Sequence, residues 1–572
     1  MRYLRVGLAQ INTTVGDFDG NRARILDAAR RAAALDADLV AFPELAVTGY
    51  PPEDLLLRAP FIDEAEAALA ALARDAEGLP PLVVGCVEFD GVLYNSAAIV
   101  HCGAVVARYR KHRLPNYGVF DEQRYFQPGH ETPRFLIGGV EVAVTVCEDI
   151  WYADGPAHDA ALDGAEVIVN INASPFHAGK TRERERMLAT RATDDHIAIA
   201  YVNQVGGQDE LVFDGNSLVI DARGAVLARG ASMREDLVVA DIPVDEVRQV
   251  RLHESRLRRE RHAAEPAAPL HITAASEAAR ESAPLTQLEP PDPLAETYDA
   301  LVAGTRDYTH KSGFADAIVA LSGGIDSSLV AAVAVDALGA EHVRGVSLPS
   351  RYSSEGSIAD AQDLADRLGI ELIAMPIEAL HQAALDTLAR PFEGTAEGTA
   401  EENLQSRLRG MLVMALSNKF GTLVFTTGNK SEYACGYATL YGDMAGGFAV
   451  IKDVPKTLAY ALSRHRNTRG EVIPQSVIDK PPSAELRPDQ LDTDSLPPYE
   501  VLDPIIEAYV EDDASFEEIV GRGYEPAVVS RVIDLINRNE YKRRQSPPGV
   551  KITPRAFGRD RRYPLASRYV GH

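Results

Sequence analysis

Ala317-Ile-Val-Ala-Leu-Ser-Gly-Gly-Ile-Asp-Ser-Ser328 is an apolar run that breaks on Ser322-Gly323-Gly324 and resumes as Leu329-Val-Ala-Ala-Val-Ala-Val-Asp-Ala-Leu338. The pattern reads as strand, tight loop and helix. Two adjacent glycines remove the Cβ atoms that would block a close backbone approach. Ser322, Ser327 and Ser328 add hydroxyl donors, and the following helix points its first N–H groups at the loop. Such a loop is a cradle for phosphate. A Walker A loop would end in Gly-Lys-Ser/Thr, with the lysine on the β/γ-phosphates. Here Ile325-Asp326 stands in that place, and a carboxylate beside phosphates implies a bridging Mg²⁺.

The residues Ser322-Gly-Gly-Ile-Asp-Ser327 resemble the loop of the ATP pyrophosphatases, which cleave ATP between the α- and β-phosphates and adenylate a carboxylate or carbonyl. The resemblance makes Leu321, Ser322, Gly323, Gly324, Ile325, Asp326, Ser327 and Ser328 candidate ATP contacts. The bland reading is a βα turn that binds nothing.

At 572 residues the chain exceeds one core, and a prior of roughly 150 residues per domain gives two to four domains or two large α/β ones. The formal charge of −26, from 58 basic and 84 acidic residues, argues against a general nucleic-acid or membrane binder. It also repels ATP, so a nucleotide site must carry its own cation and basic side chains. Lys542, Arg543, Arg544, Lys551, Arg555, Arg559, Arg561 and Arg562 form such a cluster, or else a solvated tail. Cys86, Cys102, Cys147 and Cys435 show no Cys-x-x-Cys spacing, which argues against zinc and a disulfide framework. The N-terminus lacks a signal-peptide pattern and no apolar run reaches membrane length, so a cytoplasmic protein is expected.

Upstream, strand and helix patterns alternate from Val6: a strand to Ile11, a helix over about 20–35, and a strand over 37–42. That strand runs into Pro43-Glu44-Leu45. Two further strand ends carry Arg110-Lys111-His112 and Cys147-Glu148-Asp149, and the three side chains converge if their strands share one sheet. A free thiol is only a few per cent ionised at neutral pH and needs a base, here Glu44, while Lys111 suits a developing oxyanion. Singly, each residue also reads as a core thiol, a surface lysine or a loop acid.

Glu44, Lys111 and Cys147 in their local contexts resemble the triad of the nitrilase superfamily, amidases that work through a thioester. The superfamily's second glutamate matches Glu122. By resemblance to its glutaminase branch, Tyr117, Ser174 and Lys180 are candidates to hold glutamine, although residues 180–186 also read as a charged helix face. The resemblance implies an α-β-β-α sandwich over residues 1–248. Residues 249–292, charged at first and then rich in Ala, Pro and Ser, read as a linker, with 251–262 expected to be helical.

From 293 to 572 a parallel-sheet, Rossmann-like domain is expected. Asn403 and Arg407 lie one helical turn apart, on one face. Val424-Phe-Thr-Thr-Gly-Asn-Lys-Ser-Glu432 is another strand running into Thr427 and an acid. This half resembles the NAD synthetases, and with the nitrilase-like half the chain resembles the glutamine-dependent members over nearly its whole length. The resemblance implies that Asn403, Arg407, Glu432 and Lys542 contact deamido-NAD⁺, that Thr427, Lys456 and Ser483 contact ATP, and that Asp326 and Glu432 share Mg²⁺. It further implies homo-oligomers, dimers or larger, and only small-molecule substrates: deamido-NAD⁺, ATP and L-glutamine. One departure stands out. Leu440 in Thr439-Leu-Tyr-Gly-Asp443 replaces a lysine common in the ammonia-using enzymes, and Lys430 is the nearby candidate to substitute.

Ammonia released to water at neutral pH becomes mostly ammonium, which has no lone pair for attack. A shielded route from Cys147 to the phosphate loop is therefore expected, with residues 251–291 and 350–354 as candidates to carry coupling. Two alternatives share these features: an amidotransferase or tRNA-modifying enzyme with the same loop, and a nucleotide-sensing protein with a decayed amidase.

Overall fold

The computed structural model describes residues 2–254, 267–275, 281–283, 289–488 and 490–569. Its chain divides into two compact units, Met1–Gln208 with Val212–Pro291, and Asp209–Leu211 with Asp292–His572. Most of the stretch expected as a charged helix over 251–262 lies outside the described residues. Its start ends the helix Val244–His253.

The first unit holds two large sheets. One has the order β14-β1-β2-β3-β4-β5, built from β1 (Tyr3–Gln10), β2 (Leu39–Ala41), β3 (Leu82–Phe89), β4 (Leu93–His101), β5 (Ala104–Arg110) and β14 (Asp236–Pro243). The other has the order β13-β12-β9-β8-β7-β6-β15, from β6 (Arg134–Ile137), β7 (Val140–Val146), β8 (Val167–Asn172), β9 (Ala198–Asn203), β12 (Leu218–Ile220), β13 (Val226–Arg229) and β15 (Leu270–His271). A ribbon of β10 (Val205–Gln208) and β11 (Leu211–Asp214) stands apart.

Side-chain alternation along the strands sets the layers. Leu4, Val6 and Leu8 of β1 pack with Val142, Val144 and Val146 of β7 in a core between the sheets. Their neighbours point the other way: Ala9 packs with the helices Phe18–Ala33 and Ala59–Asp75, and Ala143 with Pro156–Asp163 and Lys180–Asp195. The result is the expected α-β-β-α sandwich.

In the second unit β16 (Ala317–Ala320), β17 (Val343–Ser347), β18 (Glu371–Ala374), β19 (Leu423–Thr426) and β20 (Phe448–Ala449) form one sheet in the order β18-β17-β16-β19-β20, parallel throughout. The strand order reverses at β16, and the loop 321–324 follows it. A parallel sheet offers its ligand crevice at that reversal, outside the carboxyl ends of the strands. No described helix is long and apolar enough to cross a membrane.

Candidate active sites

In the first unit Glu44 lies just beyond β2, Lys111 just beyond β5 and Cys147 just beyond β7. The expectation of a single sheet is corrected here. β2 and β5 belong to the six-stranded sheet and β7 to the seven-stranded one, so the groups meet because two sheets pack face to face. Gly85 on β3 makes room for the Glu44 turn. A Cβ there would come within 2.3 Å of the Pro43 carbonyl oxygen and the Leu45 nitrogen.

Lys111 is buried and donates from Nζ to Glu44 Oε1 at 2.7 Å and to the two Glu122 oxygens at 2.8 and 2.9 Å. Burial works against its charge, but Glu122 and Glu44 outweigh it and hold the ammonium protonated. Burial, with Glu44 adding to it, pushes Glu122 up to about 7. Cys147 has φ of 47°, unusual for a residue with a Cβ, and opens the short turn Cys147–Trp151. Burial, then the charge of Glu44, raises its pKa, so the resting group is a thiol that needs a base.

Asp149, fully buried, staples the two strand exits. It accepts from Val146 N–H at 3.0 Å, just before the thiol, and from His112 and Arg113 N–H at 3.1 and 2.8 Å, just after the lysine. Tyr109 Oη–H donates to it at 2.7 Å. Neither this role nor that of Asn95, whose amide donates to Glu44 at 2.7 Å, is readable from the motifs. For Asn95 the available signal was a polar residue inside an apolar strand pattern, and for Asp149 an acid in the turn that follows one.

Tyr117 and Lys180 lie close enough to Cys147 that a thiolate there would raise the pKa of each. The Tyr117 hydroxyl donates to Glu148, which the motifs did not single out, at 2.9 Å. Ser174 is buried, and its Oγ accepts from Arg184 at 3.3 Å. Lys180 Nζ sits 4.1 Å over the Trp151 ring and 3.2 Å from Glu183, so it is both a helix-face partner and a half-buried cation. Burial lowers its pKa.

In the second unit a cavity of about 290 Å³ is lined by Leu321, Ser322, Gly323, Gly324, Ile325, Asp326 and Ser327, and also by Thr427, Glu432, Lys456 and Ser483. Gly323 has φ of 78°, and a Cβ there would lie 2.2 Å from the Ser357 carbonyl oxygen, so only glycine fits. The Lys456 ammonium pairs with Asp326 and lies 3.6 Å from Glu432. Burial and then Asp326 push Glu432 up to about 8. Lys480 and Arg409, both absent from the motif reading, also line the cavity. At its rim the Glu485 carboxylate accepts from Ser354 Oγ at 3.0 Å and Ser357 Oγ at 2.6 Å.

Four expectations fare differently. Ser328 is buried, and its hydroxyl donates to the Gly324 carbonyl at 2.9 Å inside the helix Ile325–Leu338, away from the cavity lining. Asn403, Arg407 and Lys542 do not line this cavity either. They hold the loop 436–440, through Thr439 Oγ1, the Leu440 carbonyl, and the Gly436 and Ala438 carbonyls respectively. Arg407 also lines a second cavity of about 360 Å³ with Met411, Met414, Leu440 and Tyr441. Lys430 does not take the place of the missing lysine: it is buried against Asp453 at 2.9 Å and Glu511 at 2.7 Å. Of the C-terminal basic cluster Arg543, Lys551 and Arg561 are internal, whereas Arg544, Arg559 and Arg562 are exposed. Arg543 and Arg561 share Glu540, and Lys551 pairs with Asp560 at 3.1 Å, because buried charge must be paired.

Among the described residues no group of three His, Cys, Asp or Glu side chains is placed to hold a metal. Asp326 and Glu432 supply two hard carboxylates at one point. That donor set fits a Mg²⁺ completed by phosphate oxygens, the usual manner for this ion.

Residues 5–252 match the carbon-nitrogen hydrolase family and residues 297–546 the NAD synthase family. Over 575 residues the chain is 48% identical to the glutamine-dependent NAD(+) synthetase of Thermotoga maritima, covering 100% of this chain and 99% of that one. It is 45% identical to that of Aquifex aeolicus over 567 residues, 99% of this chain and 100% of the other. Among solved structures, a glutamine-dependent NAD+ synthetase from Acinetobacter baumannii in complex with adenosine diphosphate shares 41% identity with a TM-score of 0.74, covering 99% of this chain and 98% of that one. A Cytophaga hutchinsonii structure, 22% identical over 99% of this chain and 98% of its own, shares the fold with a TM-score of 0.80.

Proposed function

The chain belongs to the glutamine-dependent NAD(+) synthetases, and from that membership we propose how its own residues divide the work. It is a carbon–nitrogen ligase with ATP as co-substrate. On this reading residues 1–248 form the glutaminase domain, 249–292 a linker whose Leu270–His271 adds an edge strand to the glutaminase sheet, and 293–572 the synthetase domain.

In the glutaminase Glu44 takes the proton from Cys147 Sγ. The thiolate attacks the carboxamide carbon, and the C=O electron pair moves to oxygen beside the Lys111 charge. The proton then passes to the amide nitrogen as the C–N bond breaks, which releases ammonia, leaves a thioester and restores the Glu44 carboxylate. Water hydrolyses the thioester to glutamate. Glu122, held on the far side of Lys111, fixes the ammonium. Tyr117 with Glu148, Ser174 and Lys180 offer acceptors for an α-ammonium and donors for an α-carboxylate.

In the synthetase the nicotinate carboxylate of deamido-NAD⁺ attacks the α-phosphorus of ATP, and diphosphate leaves. Adenylation is needed because a carboxylate is a poor electrophile. Ammonia then displaces AMP. Ser322 to Ser327, Thr427, Lys456 and Ser483 hold the nucleotide, and Arg407 and Asn403, with Lys542, shape the loop 436–440 toward the acceptor. Asp326 and Glu432 would hold Mg²⁺, which neutralises charge on the phosphate oxygens when bound. The four free cysteines fit a reducing cytoplasm, and assembly as a dimer or larger oligomer follows from the family resemblance.

The observation that carries this reading is the convergence of the phosphate loop, Thr427, Glu432 and Lys456 on one cavity at the strand-order reversal. The test is product analysis with ATP, glutamine and a panel of acceptors. Deamido-NAD⁺ alone should yield AMP and diphosphate. ADP and phosphate as products would remove the loop assignment, and turnover with xanthylate or tRNA would sink the acceptor.

A further inference from the structure

Asn95, on β4, touches every part of the base assembly. Its backbone carbonyl accepts the Lys111 N–H at 2.9 Å, and its side-chain Nδ2 donates to Glu44 Oε1 at 2.7 Å and reaches Glu122 Oε2 at 3.5 Å. The side chain is buried, and its Oδ1 has no hydrogen-bond partner among the protein atoms. A buried orphan oxygen is unfavourable and needs an explanation. The explanation is electrostatic. Turning the amide over would satisfy nothing and would aim the oxygen at two carboxylates.

The contacts on Glu44 are unequal. Oε1 receives both Asn95 Nδ2 and Lys111 Nζ at 2.7 Å, whereas Oε2 receives only the Ala173 backbone N–H at 3.1 Å. The titratable and charged groups around the Cys147 thiol include Glu44, Lys111, Glu122 and Glu148, with Lys180 and Tyr117 also within electrostatic reach, and Tyr50 borders Glu122 at 3.5 Å. Within this set Oε1 is closed to a further proton and Oε2 is open.

We propose that Asn95 is a positioning residue of the glutaminase: with Lys111 it closes Oε1 of Glu44, so that the proton leaving Cys147 Sγ is taken at Oε2. The S–H bond breaks, the Oε2–H bond forms, and the same proton later passes to the departing nitrogen. Asn95 itself exchanges no proton and contacts no substrate. This assignment rests on the reading of Glu44 as the base.

The test compares Asn95→Asp, Asn95→Ala and Asn95→Ser with the full-length parent. Aspartate keeps the size but replaces the donor by a third carboxylate, whereas serine keeps a shorter donor. Losing a donor to a carboxylate, or gaining a negative neighbour, disfavours its charged form and raises its pKa. The acid limb of glutamine hydrolysis should therefore move to higher pH by about one unit, with kcat down by about tenfold for Ala and about a hundredfold for Asp, and little change in KM. Serine should fall between the parent and alanine. Alkylation of Cys147 by iodoacetamide should show the same shift of pH dependence, without reference to turnover. NAD⁺ formation from added ammonium should be kept, which also reports that each variant is folded.

Parental kcat and acid limb in Asn95→Asp overturn the proposal. So does a loss expressed in KM alone, or an alkylation profile unmoved in both Asn95→Ser and Asn95→Ala. Cys147→Ala separates the two levels. If it still uses glutamine, the reading of the base assembly fails. If it is dead while Asn95→Asp is unaffected, only this inference fails.

Discussion

Lys111 in the first unit meets two carboxylates, Glu44 and Glu122, and Lys456 in the second also meets two, Asp326 and Glu432, but the two triples are closed to different degrees. Lys111 has its three donor contacts within 2.9 Å and faces no solvent. Lys456 pairs closely with Asp326 alone, stands 3.6 Å from Glu432, and borders an open cavity. The roles proposed for the two sites would account for this difference. A thiol attacking a neutral amide needs its base and oxyanion charge set beforehand, because a low-dielectric site makes fixed charges effective without reorganisation. Adenylation brings in phosphates, so that site must keep carboxylates whose partners can be exchanged for a cation and phosphate oxygens.

The largest expected effect breaks the comparison into its halves. Cys147→Ala should lower glutamine-driven NAD⁺ synthesis by at least about 10³-fold, since removing a nucleophile removes the covalent route, and leave synthesis from ammonium salts intact. Asp326→Asn should depress both by about 10²-fold, the order expected for losing one fixed charge at a phosphoryl site. Steady-state rates with each nitrogen donor read the pair. Loss of the ammonium-driven reaction in Cys147→Ala, with an unchanged melting temperature, would mean the two centres do not work separately.

A medium effect sharpens the contrast in openness. Burial and Asp326, opposed by Lys456, push Glu432 up to about 8, so in its proposed role as a cation ligand it must give up a proton on binding near neutral pH. Affinity for Mg·ATP should therefore rise with pH, by about tenfold between pH 7 and 9, one pKa unit being a factor of ten, and flatten above. Titration calorimetry in buffers of different ionisation enthalpy should detect the released proton. A flat profile in the parent enzyme would remove Glu432 from the cation site, whereas Glu432→Gln should bind more weakly and lose the pH dependence.

The smallest effect probes the phosphate loop. The Ser327 and Ser328 hydroxyls both donate to the Gly324 carbonyl, at 3.0 and 2.9 Å, but of the two only Ser327 lies in the cavity lining. Ser328→Ala should change the KM for ATP by less than about twofold, a lost intramolecular hydrogen bond being worth about 1 kcal/mol to stability. Ser327→Ala should raise that KM several-fold more. Equal effects in ATP kinetics would restore Ser328 to the nucleotide set.

What the sequence by itself determined is local. Strand alternation in β1 and β7, the Ser322-Gly-Gly turn and the strand-end positions of Glu44, Lys111 and Cys147 all depend on neighbours a few residues apart. They were legible because side-chain period and glycine backbone freedom are short-range properties. The tertiary structure decided which strand ends face one another. It placed Lys111 and Cys147 on different sheets, brought Asn95 to Glu44, and turned Arg543, Arg561 and Lys430 from expected ligand-binding or surface charges into internal ties. The physical reason is that the pairing of a buried charge depends on what packs against it, and those partners come from segments far apart in the chain, such as Lys430 with Glu511 and Glu44 with Lys111.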